Sequence, residues 1–113
     1  FPTTAVTHWT RDRRRGEPLG LEDVVHHQTQ RTAHHVGWTD RGVIAPGLLA
    51  DLNLIDLDRL RLRPPHLVAD LPAGGTRLLQ EADGYVATIK RGEVIAEEGR
   101  LTGARPGRLQ RGR

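Results

Sequence analysis

The chain has 113 residues, 36% of them hydrophobic, and a net charge of +3 from 17 Lys and Arg against 14 Asp and Glu. That length suits one ordinary domain burying roughly two-thirds of its unfolded surface. The lack of Cys excludes disulfides, thiolate nucleophiles and cysteine metal sites and fits a reducing, cytoplasmic setting.

With one Phe, one Tyr and two Trp, the core must come from Leu, Val, Ile and Ala, so a small core is expected. No apolar run approaches the ~20 residues that cross a membrane, and the N-terminus lacks a signal-peptide layout. The chain opens on Phe1 and contains no Met, which suggests a segment of a longer protein. Lys90 is the one lysine among 17 Lys and Arg, a bias that reads first as GC-rich codon composition.

In chain order, residues 4–15 are predicted as a helix. Thr4 is its N-cap, Ala5, Val6 and Trp9 face inward, and Arg11, Arg13, Arg14 and Arg15 lie near the carbonyl end of the helix dipole. Gly16 stops it, and Pro18 to Gly20 form a loop. Leu21, Val24, Val25 and Gln28 then share one face at helical spacing, with Glu22 and Asp23 in the first turn. Thr29 or Gln30 restarts a short helix through Val36, with Ala33 and Val36 inward and Gly37 as terminator.

Beyond a boundary near Trp38 to Gly42, glycines and prolines punctuate short alternating runs. Strands are predicted at 42–46, 51–56, 85–90 and 93–96, the last two joined as a hairpin by Arg91-Gly92. Arg59 to Gly75, with Pro64, Pro65 and Pro72, is expected to be a loop. The tail, Thr102 to Arg113, lacks periodicity and is expected to be irregular.

Several segments resemble the C-terminal end of amidohydrolase-superfamily enzymes, and specifically the N-acyl-D-amino-acid deacylase (D-aminoacylase) branch. Arg41 to Asp56, with Gly42, Ile44, Gly47, Ala50 and Asp51 in Gly-x-Ile-x-x-Gly-x-x-Ala-Asp order, resembles the family's return of the chain from barrel to β-sandwich. Leu21-Glu22-Asp23-Val24-Val25 followed by Thr29 is similar to its final barrel helix, and Gly37 to Gly42 to its Gly-Leu-x-Asp-Arg-Gly junction. Tyr85 to Val94 stands where the family has a hairpin, with Arg91-Gly92 in place of the usual Asn-Gly. Leu101 to Arg108 resembles the closing Thr-Gly-x-x-Pro-Gly-Arg segment, while residues 60–76 are only loosely similar.

The resemblance implies an α+β chain. Residues 1–37 would be helices from the end of a (β/α)₈ barrel, 38–101 a portion of a small antiparallel β-sandwich, and 102–113 an irregular basic tail. It implies a parent that hydrolyses amide C–N bonds, such as those of N-acyl-D-amino acids, with a Zn²⁺-activated water. The family's metal-binding and catalytic residues would lie upstream of Phe1. No residue of this chain is therefore assigned a catalytic, cofactor-binding or metal-ligating role, and the chain by itself is expected to be inactive. Its partners would be the missing barrel and sandwich strands, with self-association through unpaired strands.

The residues considered alone agree with that restraint. His8, His26, His27, His34, His35 and His66 include no i, i+4 pair, the helical device of HExxH zinc sites. Glu22 with His26 and Asp23 with His27 do have i, i+4 spacing, but the adjacent histidines of each doublet point to different faces of a helix, so solvated or partly buried helix histidines are expected. With no Ser or Cys, and threonines lacking a base arrangement, no triad is assigned. Asp51 and Asp56 read as turn and strand-end hydrogen-bonders. Gly74-Gly75-Thr76 lacks the spacing and lysine of a phosphate loop. The competing reading is a free-standing basic binding or adaptor module. Arg11 to Arg15, an acid-free arginine tail and a pI near 10.5 suggest weak, salt-sensitive association with nucleic acid. The modest net charge and the lack of a stacking surface or zinc-finger, RRM or KH signature weigh against it.

Overall fold

A computed structural model describes residues 1–111. The N-terminal part is helical: α1 (Pro2–Thr7), α2 (Leu21–Gln28) and α3 (Gln30–His35). Pro2 at the first helical turn starts α1, a position where its missing N–H costs nothing. The helix thus begins before Thr4, the expected cap. It widens into a π-helical stretch over His8–Asp12, where the Thr10 hydroxyl donates back to the Val6 carbonyl.

The helix ends at Asp12, since Arg13 is extended, so Arg13, Arg14 and Arg15 lie outside it. Its inward face is also rotated from the expected one. Thr3 and Thr7 are buried while Trp9 is 41% exposed, because Thr7 satisfies its hydroxyl on the Thr3 carbonyl at 3.0 Å and can be buried without an orphan donor. Helices α2 and α3 fall where periodicity placed them, but with narrower inward stripes. Val24 and Ala33 are buried, whereas Val25 and Val36, expected inward, are 45% and 56% exposed.

The second part is antiparallel. Its main sheet has four strands in the order β1-β6-β7-β8, namely β1 (Leu52–Ile55), β6 (Tyr85–Lys90), β7 (Glu93–Glu97) and β8 (Arg100–Leu101). Two ribbons stand beside it: β2 (Arg61–Leu62) with β5 (Ala82–Asp83), and β3 (His66–Val68) with β4 (Arg77–Leu79). The segment 59–75, expected as a loop, therefore contributes two short strands. Pro64 and Pro65 separate them, and their partners lie beyond Thr76, out of reach of local pattern reading.

The strand expected at 42–46 is absent. Leu48 N–H instead donates to the Ala45 carbonyl at 3.2 Å across a β-turn with Pro46 and Gly47 at its centre. The hairpin at Arg91-Gly92 forms as expected, with φ of +53° and +83°, the signs a type I′ turn requires. Arg91 tolerates this because its own N–H is fixed on the Asp51 carboxylate at 3.0 Å. A second turn of the same signs, at Glu98-Gly99, adds β8. Residues 102–111 carry no regular structure; the rest of the expected tail, 112–113, lies outside the described residues.

Helices and strands meet through a small core. Helix α1 packs on α2 and on β2, and Leu60, just before β2, is 1% exposed. Polar ties complete the joint. Thr3 Oγ1 and the Tyr85 hydroxyl are 2.8 Å apart, and the Arg11 guanidinium donates to the carbonyls of Leu57 and Leu60.

The four-stranded sheet, by contrast, holds no buried residue among β1, β6, β7 and β8. Leu52, Leu54, Ala87, Ile89 and Val94 share one of its faces by register, and Leu54 is 58% exposed. The chain exposes 9102 Å², where a monomer of 12.6 kDa ordinarily exposes about 6,200 Å². Only about half of the unfolded surface is buried, not two-thirds. The radius of gyration, 16.3 Å, likewise exceeds the roughly 13 Å of an ordinary domain of this length.

Candidate functional site

The junction between helices and sheet is built around Arg41. This side chain is buried although charged, which requires partners for its donors. Nε and Nη2 grip Asp40 at 2.8 and 3.1 Å, and Nη1 reaches Asp51 at 3.4 Å. The guanidinium plane also lies over Trp38, 4.8 Å from the ring centroid. Asp51 in turn accepts from Lys90 and from the Arg91 N–H, so one carboxylate joins the junction, β6 and the hairpin turn. Burial pushes the Asp51 carboxyl up, but Lys90, the Arg91 N–H and the Arg41 charge together outweigh it and hold it below the ordinary value. An open groove of about 420 Å³ lies alongside, lined by Gln28, Thr32, Val36, Trp38 and Arg41 among others. Chemically, the arrangement clamps a junction: Arg41 spends its donors on protein carboxylates.

A second ionic cluster sits on the β2–β5 ribbon. Arg61 and Asp83 are directly opposed across the strands. Nε of Arg63 and Nε of Arg61 each donate to Asp83 at 2.8 Å. These bonds, Arg63 first and then Arg61, hold the Asp83 carboxyl down at about 2 against an ordinary 3.8. Hydrogen bonds from Arg11, Arg41 and Arg77 likewise lower Asp12, Asp40 and Asp70.

A depressed carboxylate stabilises the fold above its unfolded pKa and ceases to do so as pH falls through the folded value. The urea midpoint is therefore expected to be flat above roughly pH 5 and to fall from near 3.8 towards about 2. In Asp83→Asn the lower part of that fall should vanish. A wild-type midpoint independent of pH down to 2 would contradict the cluster's role.

The residues weighed from sequence do not converge. His27 donates through Nδ1 to the Asp23 carbonyl at 2.6 Å, its Nε2 accepting from Arg31, which can only donate. His8 packs edge-on against Trp9. Among the described residues, no three His, Asp or Glu side chains are placed to hold a metal ion.

Asp56 accepts from the N–H groups of Asp58 and Arg59, and Asp51 from that of Arg91, both as turn-fixing carboxylates. The hydroxyls of Thr7, Thr10, Thr29, Thr32 and Thr102 all donate to main-chain carbonyls. In the basic run, Arg11 is spent on Asp12 and two carbonyls, and Arg13 stacks on Trp9. The clamp at Arg41 and the Asp83 cluster carried no assignment from sequence. Arg61 and Arg63, two apart on a short apolar run, were the one visible hint of the latter.

No helix among the described residues is long and apolar enough to cross a membrane. No curated protein and no solved structure matches the chain. The model of the amidohydrolase family matches residues 1–96, which takes in all three helices, the Arg41 junction and the strands through Ala96. The chain therefore belongs to the amidohydrolase family.

Proposed function

We propose that this chain is the C-terminal part of a metal-dependent amidohydrolase acting on amide C–N bonds, with N-acyl-D-amino acids as its substrate class. In this reading residues 1–37 finish the barrel, 38–101 supply part of a β-sandwich, and 102–113 form a basic tail. The role of the segment is structural, and zinc ligands and catalytic groups belong to the remainder of the enzyme.

The observation that carries this reading is the uncovered surface. The excess over an ordinary monomer is about 2,900 Å² on this chain alone, as much as one side of a very large obligate interface, and an apolar sheet face lies within it. Such a face needs a second layer. The family match supports the hydrolase assignment, and the resemblance of Gly37 to Gly42 and of Leu101 to Arg108 supports the branch.

The test is the size of the native polypeptide in its source cells, read by immunoblot with antibody raised against residues 1–113. A species large enough to include a barrel of ~250 residues is expected. A band at 12.6 kDa would overturn the reading and favour a free-standing binding module. The isolated chain is expected to self-associate through the uncovered sheet. Sedimentation velocity giving a monomer that stays monomeric as concentration rises would count against that.

A further inference from the structure

A polar cavity of about 500 Å³ lies between the β2–β5 ribbon and the β7–β8 turn, apart from the Arg41 groove. Its charged lining is Arg59, Arg63 and Arg100 facing Glu81, Asp83 and Glu98. These six are unequally engaged. Asp83 is saturated by Arg61 and Arg63. Arg59 holds Glu98 only at 3.5 Å, and Arg63 lies 3.7 Å from Glu81, beyond hydrogen-bond reach. Arg100 makes no ion pair among the described residues. The cavity therefore presents one unclaimed guanidinium, one loosely held guanidinium and two loosely held carboxylates.

An anion alone would satisfy Arg100 but meet Glu81 and Glu98; a cation alone would meet the arginines. A small molecule carrying both charges satisfies both sets, and Arg is suited to gripping a carboxylate with paired donors. We propose that this cavity binds a free α-amino acid, its carboxylate on Arg100 and Arg59 and its ammonium on Glu98 and Glu81. The proposal stands on the lining charges and goes beyond the hydrolase reading. With few ligand atoms in a wet, open site, affinity should be on the order of 1 mM.

The test is an amide chemical-shift titration of the full 113-residue chain with leucine, isocaproate and isoamylamine, the last two being leucine without its ammonium and without its carboxylate. Saturable shifts confined to Gly84, Gly99, Arg100 and their neighbours are expected with leucine, and at least about tenfold weaker binding of either half-ligand. Arg100→Ala and Glu98→Gln should each weaken leucine about tenfold while leaving the rest of the spectrum in place. No saturable shift with leucine would overturn the proposal. So would isocaproate binding as tightly as leucine, which would make the site a simple anion site, or leucine binding equally well in both variants. None of these outcomes depends on the size of the native polypeptide.

Discussion

Replacing Gly84 with alanine is expected to destabilise the fold by about 2–5 kcal/mol, the sum of left-handed backbone strain and overpacking. Gly84 has φ of +94°, and an added Cβ would stand 2.6 Å from Leu60 Cα, 2.7 Å from Leu60 N and 2.9 Å from the Asp56 carbonyl oxygen. All three are main-chain atoms, so no side-chain rotation relieves the clash. The Gly84 carbonyl meanwhile accepts from the Asp56 N–H at 2.8 Å, which pins the two segments together. Against a total stability of about 5–15 kcal/mol for ordinary domains, that is a large fraction, and the urea midpoint of Gly84→Ala should fall well below that of wild type at room temperature. A variant that unfolds within about 1 kcal/mol of wild type would mean that the Leu60 turn moves freely away from the strand.

Truncating Leu60 to alanine should cost about 2–5 kcal/mol, the range for large-to-small changes in closed cores. Leu60 is 1% exposed and sits beneath α1, near Val6, Thr7 and Leu21. Leu60→Met should lose less than about 1.5 kcal/mol, since volume is kept. Urea denaturation followed by circular dichroism separates the two, and an equal loss in both would show that side-chain shape rather than cavity formation sets the cost. Because Leu60 and Gly84 touch, their effects should not add.

What could be read from the sequence followed from how local each signal is. Helix α2 was legible because Leu21, Val24 and Gln28 recur at helical spacing behind Glu22 and Asp23. The β6–β7 hairpin was legible because a two-residue turn lies between alternating runs. The ribbons β2–β5 and β3–β4 were not, since each strand has two or three residues and pairs with a segment beyond a proline-rich stretch. Trp9 misled because amphipathic periodicity rewards a large ring. The helix instead turns two threonines inward, one of them bonded to Tyr85, 82 residues away. The Arg41 clamp was hidden for the same reason: its value lies in Asp51, Lys90 and Trp38 meeting in space.

The strand order also sets a timetable. Strands β6, β7 and β8 are joined by two-residue turns, whereas β1 finds β6 only after the chain has travelled from Leu52 to Ile89. Closing a loop of that length costs about 3 kcal/mol of entropy before any pairing energy is gained. On a ribosome, β1 emerges first and waits, with Leu52, Leu54 and Ile55 unpaired, until the meander that receives it has been made. The same strand should be the first to open in the finished protein, so amide exchange at Leu54 should outpace that at Ala96.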